Sequence, residues 1–302
     1  MKLAHIPMLV EPPRDNPALL NFIRGLKSTS AVSEVNCFSL AEKEKEVVVK
    51  AYRIIGVSIL VAFLTIGLCY SVAWGVFDKA RAVVCFTKGV SYQDNGQWDK
   101  AIAEYNKAIE INPSYAEAYY NRGLAYAQGK GQFDKAISDW NKAIELNPSY
   151  AEAYNNRGNA YQAKGQYDRA ISDYTKAIEI NPSYAKGYYN RGLAYQAKGQ
   201  YDRAISDYTK AIEINPSYAE AYYNRGVAYG RKGQYDQAIS DCNKAIELNP
   251  SYAKAYYNRG VAHYFKGKYD KAWEDVLKAQ SLGNPVQIRF LEALREASGR
   301  QE

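Results

Sequence analysis

The sequence is poor in the side chains from which most enzyme and metal sites are built. It contains only two histidines, His5 and His263, and its four cysteines form no CxxC pair or other metal spacing. Metal sites need such ligands at close, regular intervals. The cysteines are Cys37, Cys69, Cys85 and Cys242. Since no nucleophile, base and orienting group cluster in the sequence either, we expect no enzyme activity, no metal and no cofactor.

Concentrated charge of one sign is also missing. The chain has 39 Lys and Arg residues against 32 Asp and Glu residues, and the two signs alternate along it. A nucleic-acid footprint requires basic residues gathered on one face. We therefore expect no nucleic-acid partner. N-glycosylation sequons are absent as well, because each Asn-x-Ser triplet has proline at its centre.

One long uncharged run is present, from Ile54 to Phe77. At about 1.5 Å per residue, a helix of this length reaches roughly 36 Å, enough to cross a hydrocarbon core of about 30 Å. We predict an uncleaved transmembrane helix at residues 54–77, after an N-terminal tail and charged stalk at residues 1–53. The basic residues on either side of the run favour a cytoplasmic N-terminus.

Most of the remaining chain is built from copies of one sequence motif. The letters NPSYA recur five times, at intervals of 35, 34, 34 and 34 residues, and divide the chain from residue 82 to about residue 286 into six repeats. The repeats 1 to 6 are residues 82–115, 116–150, 151–184, 185–218, 219–252 and 253–286. One extra residue, in the letters AQGKGQ of repeat 2, predicts an enlarged turn between its helices.

Each repeat predicts two helices. In repeat 4, Asn181 and Pro182 are predicted to begin the first helix, and Gly199 to end it. The second helix is predicted to run from Tyr201 to the next NP. Small residues at Gly192 and Ala204 are predicted to let the two helices approach closely. Because one helix pair cannot bury its apolar stripe alone, neighbouring pairs must stack into a solenoid.

This pattern resembles the tetratricopeptide repeat (TPR) family, whose 34-residue signature has aromatic, Gly, Ala and Pro positions at fixed intervals. In repeat 3 the matching residues are Tyr154, Gly158, Tyr161, Ala170, Tyr174, Ala177 and Pro182. The resemblance implies an all-α fold, a right-handed α-solenoid of six helix-turn-helix repeats over residues 78–286. Residues 287–302 are predicted to form a C-terminal capping helix and tail.

Two charged positions depart from the family signature together. Where the signature has Leu, repeats 2 to 6 have Arg, and each carries Asp 16 or 17 residues later. The pairs are Arg122 and Asp139, Arg157 and Asp173, Arg191 and Asp207, Arg225 and Asp241, and Arg259 and Asp275. In repeat 1 both change, to Lys88 and Glu104. The retained signs predict an ion pair between the two helices of each repeat; two independently solvated charges are the alternative.

The TPR resemblance implies that first-helix side chains line an inner face that grips extended peptides or partner helices. Carried over by position, the partner-binding residues are Tyr120, Asn121, Asn155, Asn156, Lys186, Tyr189, Asn190, Tyr223, Asn224, Lys254, Tyr257 and Asn258. Asn side chains can donate to and accept from a partner's main chain, and Tyr offers rigid contact area. The alternative is that these rows only maintain packing between repeats. The carboxylate-clamp variant of the family has Lys where these repeats have Tyr, so no chaperone-tail receptor is expected.

The sequence thus favours a non-enzymatic protein–protein interaction scaffold, an accessory or assembly subunit of a membrane complex. Its partner is expected to be another protein or a peptide segment. The alternative is a self-assembling structural protein that forms a homo-oligomer at the membrane. The regular repeats and absent sequons resemble bacterial members of the family, so the predicted location is the bacterial inner membrane.

Overall fold

The computed structural model describes the backbone of residues 69–299 and the side chains of residues 77–299. The described part is all-α, with 13 α-helices, one π-helical turn and no strand. The helices are α1 Cys69–Asp94, α2 Trp98–Ile111, α3 Ala116–Leu124, α4 Phe133–Leu146, α5 Ala151–Ala163, α6 Tyr167–Ile180, α7 Ala185–Ala197, α8 Tyr201–Ile214, α9 Ala219–Arg231, α10 Tyr235–Leu248, α11 Ala253–Phe265, α12 Tyr269–Ser281 and α13 Ile288–Ser298. All six repeats lie within one compact unit of the chain, Trp74–Glu302.

The predicted membrane location is wrong for the described residues. Between residues 69 and 299, no helix combines the length and the apolar character that a membrane crossing requires. Residues 69–77 of the predicted span begin α1, which continues past the charged Asp78, Lys79 and Arg81 into repeat 1. The tail 1–53 and residues 54–68 of the predicted span lie outside the described residues.

The helix pairs stack as the 34-residue period predicts. Within repeats 2 to 6, the first helix (α3, α5, α7, α9, α11) packs on the second helix (α4, α6, α8, α10, α12) of the same repeat. Each second helix also packs on the first helix of the next repeat, and consecutive first helices from α5 to α11 touch one another. Each repeat therefore buries its apolar stripe against its neighbours, as in a solenoid.

Glycine makes room for ring packing inside each repeat. A Cβ on Gly192 of α7 would lie 2.6 Å from the Tyr208 ring of α8, and one on Gly158 would lie 2.7 Å from Tyr174. In repeat 5, where Cys242 takes the ring position, the Cβ of Gly226 would instead lie 3.2 Å from the Ala238 carbonyl oxygen. The first-helix glycine thus allows close approach of an aromatic ring in some repeats and of the second-helix backbone in others.

The junction between repeats differs from the predicted cap. Helix α6 ends at Ile180, and α7 begins only at Ala185, so Asn181 follows one helix rather than opening the next. Its Oδ1 accepts hydrogen bonds from the Ser183 N–H at 3.1 Å and the Ser183 hydroxyl at 2.8 Å. The letters NPSY therefore form a side-chain-stabilised turn between two helices, since Asn competes well for local backbone donors.

Repeat 2 accommodates its extra residue in the first helix, not in an enlarged turn. Helix α3 continues into a π-helical turn at Ala125–Gly129, which absorbs one residue per insertion. Gly129 lies against the Trp98 ring, where any side chain would collide. Gly131 then has φ of 63°, like the turn glycine of the other repeats, so the turn itself is unchanged.

The C-terminal helix α13 covers the last repeat. Leu294 is fully buried against Trp273 and Val276 of α12. The Trp273 indole N–H donates to the Ser298 hydroxyl at 3.0 Å. This packing removes from solvent the apolar surface that a seventh repeat would otherwise cover.

Candidate functional site

Five buried ion pairs fix the geometry of the first helices. In repeat 4, Arg191 Nε donates to Asp207 Oδ2 and Nη2 donates to Oδ1, both at 2.8 Å, and Asp207 is only 5% exposed. The same two-pronged pair forms in repeats 2, 3, 5 and 6, which confirms the predicted Arg–Asp pairing. A fork-shaped guanidinium matches a carboxylate in this geometry. Each pair holds the two helices of its repeat in one register.

Each arginine also reaches the preceding repeat, which the sequence analysis missed. Arg191 Nη1 donates to the Thr175 hydroxyl at 3.0 Å, and Arg157 Nη1 donates to Asn141 Oδ1 at 2.6 Å. The guanidinium of Arg191 also lies 5.7 Å from the centre of the Tyr188 ring. One side chain thus joins three helices, and the available signal was the Asn or Thr found 16 residues before every Arg.

Repeat 1 does not form the predicted pair. Glu104 accepts from Lys107 of its own helix at 2.5 Å, and Lys88 makes no ion pair with it. A lysine ammonium is a flexible point charge without the fork that fixes two carboxylate oxygens. Preserved sign was therefore not enough to predict this contact.

The predicted Tyr and Asn rows meet between neighbouring repeats. Tyr120, Tyr189 and Tyr223 each pack, with the two rings tilted, against the NPSY tyrosine that ends the same repeat, with ring centres 4.7, 4.8 and 4.9 Å apart. Their hydroxyl oxygens accept hydrogen bonds from the next repeat's Asn amide: Asn156 to Tyr120 at 2.8 Å, Asn224 to Tyr189 at 3.1 Å, and Asn258 to Tyr223 at 3.0 Å. Packing between repeats, the alternative interpretation, therefore accounts for much of both rows.

Repeat 3 interrupts the Tyr row. Asn155 replaces the tyrosine, is fully buried, and accepts a hydrogen bond from the Asn190 amide at 2.9 Å. The same amide donates to Asn159 Oδ1 at 3.1 Å, and the Tyr174 hydroxyl donates to that oxygen at 2.8 Å. Asn155 and Asn190 are thus buried in contacts between repeats, which corrects their assignment to a partner-facing surface.

Four of the predicted residues surround one open cavity of about 560 Å³ at the C-terminal end of the solenoid. They are Tyr189, Tyr223, Asn224 and Lys254. Leu193, Tyr252 and Ala253 add apolar and aromatic wall area, and the loop Leu282–Pro285 closes one side. We call this cavity, with these lining residues, the inner groove.

The remaining predicted residues lie outside the inner groove. Asn121 donates to the Glu117 carbonyl of its own helix at 2.9 Å, and Lys186 is exposed. The Tyr257 ring packs edge-on against Phe290 of α13, with ring centres 5.7 Å apart. Through this last contact the Tyr row packs against the capping helix.

The loop in the groove wall was not predicted, although the sequence carried a signal for it. After α12 the letters SLGNP replace the usual EINP or ELNP, which adds one residue, Gly283. Gly283 has φ of 82°, a conformation that other residues rarely adopt, and α12 ends at Ser281. The loop therefore leaves the repeat geometry and lines the groove.

The groove tyrosines remain protonated across the physiological range. Burial raises the pKa of Tyr189 to about 12, and the Glu220 carboxylate adds to the shift. Burial likewise raises the pKa of Tyr223, although the hydrogen bond from Asn258 opposes the shift. Among the described residues, no group of three or more His, Cys, Asp and Glu side chains is placed to hold a metal ion.

His263 occupies a position that is tyrosine in repeats 2 to 5. It is 8% exposed, its Nε2 lies 4.0 Å from Asp275 Oδ2, and its Nδ1 has no hydrogen-bond partner among the described atoms. Burial lowers its pKa below the usual value. A packing role in place of the tyrosine ring fits this position.

The sequence matches the family descriptions "TPR repeat" and "Tetratricopeptide repeat" in overlapping stretches. The first covers residues 89–129, 130–165 and 197–233, and the second covers residues 151–184, 173–206, 219–252 and 242–274. Together these stretches span residues 89–274.

Individual proteins are similar over parts of the chain. An uncharacterised protein of Methanocaldococcus jannaschii, MJ0572, is 45% identical over 45 residues, 15% of this chain and 52% of the relative. The chain thus spans about half the length of that relative. A crystal structure of the MamA protein is 33% identical with a TM-score of 0.52, covering 58% of this chain and 94% of that one.

A second solved structure is YrrB, described as a TPR protein with an unusual peptide-binding site. It is 30% identical with a TM-score of 0.54, covering 63% of this chain and 96% of that chain. With six stacked helix pairs, family matches throughout residues 89–274, and two solved structures covered almost completely, this chain belongs to the tetratricopeptide repeat family.

Proposed function

We propose that this protein is a non-enzymatic scaffold that binds an extended segment of another protein in the inner groove. The observation that carries the proposal is the convergence of Tyr189, Tyr223, Asn224 and Lys254 on one cavity of about 560 Å³. Aromatic walls with a few placed polar groups are typical of recognition sites. Binding there would make the protein an accessory or assembly subunit of a larger complex.

The rigidity of the repeats supports this role. The Arg–Asp pairs fix the two helices of each repeat, and the Tyr–Tyr contacts hold a first helix against the tyrosine that precedes the next first helix, before any partner arrives. A preformed surface binds with a smaller ordering cost than a flexible one. The similarity to YrrB, which has a peptide-binding site, is consistent with a peptide-like occupant.

Self-assembly is less well supported by the contacts. Stacking of copies end to end would use the apolar surface of repeat 6, but α13 already covers it through Leu294. A second copy at that end would have to displace α13. We therefore favour a different protein as the partner.

Peptide selection tests the proposal. A phage-displayed library of random 16-residue peptides is selected on the full-length chain, and the binders are measured by fluorescence polarisation. Ala253→Trp places bulk in the groove and is expected to abolish binding. Ala197→Trp, at an exposed helix end outside the groove, serves as the matched control and is expected to bind normally.

Two results would contradict the proposal. One is a selection that returns no binder; the other is a set of binders that Ala253→Trp and the control bind equally well. Circular dichroism of both variants ensures that loss of binding reflects a filled groove and not an unfolded chain.

A further inference from the structure

A row of five exposed charges runs along the first helices, one in each repeat from 2 to 6. Each is the second residue of its helix. In chain order they are Glu117, Glu152, Lys186, Glu220 and Lys254. We call this set the charge row. From repeat 2 to repeat 6 the charges are negative, negative, positive, negative and positive. This order is not symmetric, so it differs when followed from repeat 6 to repeat 2.

The charge row differs from the Arg–Asp pairs and the turn lysines of the repeats, because the side chains of its members form no ion pair or hydrogen bond within residues 77–299. Each Arg191-type arginine pairs with an Asp, and the turn lysines, such as Lys130, pair with an Asp of the preceding repeat, here Asp99 at 2.7 Å. By contrast, no side chain of the charge row forms an ion pair or hydrogen bond with another described residue. These charges are therefore free to meet an outside group.

The charge row lies beside the proposed binding face. Lys254 lines the inner groove with Tyr223 and Asn224. The Glu220 carboxylate is near enough to Tyr189, Tyr218 and Tyr252 to raise the pKa of each, adding to the larger effect of burial. Since the repeats are nearly identical and consecutive first helices touch from α5 onward, the charges follow one another along the same face.

Local helix energetics do not explain the two lysines. A negative side chain in the first turn of a helix is favourable by about 0.3–1 kcal/mol, and a positive one is unfavourable. Glu117, Glu152 and Glu220 follow this rule, whereas α7 and α11 have no acidic residue in the first turn and carry Lys instead. A local rule broken without an internal partner points to a functional surface.

We infer that the charge row sets the register and direction of a bound partner segment, an inference that rests on the proposed function. The segment is an extended peptide with basic residues opposite the three glutamates and acidic residues opposite the two lysines. Packed helices lie about 8–10 Å apart, and an extended chain advances about 3.3 Å per residue. The partner's charges therefore recur at about every third residue, in the order basic, basic, acidic, basic, acidic from repeat 2 to repeat 6.

The peptides selected above supply the test. We expect their charged residues to recur at the three-residue spacing, with an acidic residue placed to meet Lys254. Lys254→Glu is expected to weaken such a peptide by about three- to tenfold, the scale of replacing an exposed attraction by a repulsion. Exchanging that acidic residue for Lys in the peptide should restore the affinity. Lys210→Glu, an exposed reversal on α8, is the matched control and should change affinity little.

The outcomes separate the two proposals. One outcome is a set of peptides whose binding is blocked by Ala253→Trp but which show neither the charge spacing nor a response to Lys254→Glu. This outcome would overturn the inferred role of the charge row while leaving groove binding intact. Insensitivity to Ala253→Trp would overturn groove binding itself. Raised salt offers a second readout, because exposed ion pairs weaken as screening increases; salt-independent binding would also count against the charge row.

Discussion

Two faces of the same first helices differ in whether their charged side chains are buried and paired or exposed and unpaired. The face toward the preceding repeat carries the arginines, each of which holds a buried Asp with two hydrogen bonds. The face beside the inner groove carries the charge row, whose side chains form no ion pair or hydrogen bond with another described residue and change sign between repeats. In a chain of nearly identical repeats, the invariant positions hold the stack together, and the varying positions are the ones available for specificity.

The largest loss of stability is expected from removing an arginine of a buried Arg–Asp pair. Arg191→Ala leaves Asp207 buried without a counter-charge, so we expect the free energy of unfolding to fall by about 3–5 kcal/mol. Denaturant unfolding followed by circular dichroism measures the change. Arg203→Ala, which removes an exposed arginine lying 5.6 Å from the Tyr195 ring, is the control and should cost far less. Equal effects of the two variants would contradict a structural role for the buried pair.

The next largest loss of stability is expected where a first-helix glycine packs against an aromatic ring of the second helix. Gly192→Ala would put a Cβ 2.6 Å from the Tyr208 ring, and overpacking of this kind costs about 1–3 kcal/mol. Gly230→Ala is the matched control, because its Cβ would meet nothing nearer than the Ala238 Cβ at 4.0 Å. Thermal unfolding should show Gly192→Ala destabilised and Gly230→Ala unchanged or stabilised. Destabilisation of both would show that helix glycines matter here for another reason.

The smallest expected effect concerns His263. Burial lowers its pKa in the folded chain, whereas the nearby Asp275 opposes the shift and Arg259, Lys271 and Lys268 add to it. The unfolded chain, with a His pKa of about 6.5, therefore binds the proton more readily, and stability declines as pH falls through that value.

Thermal unfolding between pH 7.5 and 5.5 measures this decline. His263→Tyr, which restores the side chain of repeats 2 to 5, should remove the part of the pH dependence that comes from the histidine. An unchanged pH profile in this variant would assign the dependence to other groups.

The fold was predictable because its signals are repeated. Six copies of one pattern indicate the helix pairs, and the joint change of Arg with Asp and Lys with Glu indicates the ion pairs. The pairing failed at Lys88 and Glu104 because a conserved sign does not specify fork geometry. The NPSY turn was misplaced since Asn and Pro can open a helix or follow one, and only the backbone decides between them.

The site was less predictable, because two of the features that shape this face, Asn155 and the loop Leu282–Pro285, occur only once among the repeats. Helical position placed Tyr189, Tyr223, Asn224 and Lys254 on one face, and these four line the groove. Position alone did not show that Asn155 would be buried, which depends on Asn190 and Asn159 nearby. The loop Leu282–Pro285 enters the groove through a single inserted glycine, a local event that no periodic pattern contains.

Site-specific photo-crosslinking in the native cell tests the central claim most directly. A photoreactive phenylalanine derivative replaces Leu193 in the groove wall or, as the control, Phe265, an aromatic residue that is 58% exposed and outside the groove lining. The account predicts one protein crosslinked at fixed stoichiometry from position 193, lost in the Ala253→Trp background, and absent from position 265. Equal crosslinking from both positions, or a position-193 adduct that persists with Ala253→Trp, would contradict it.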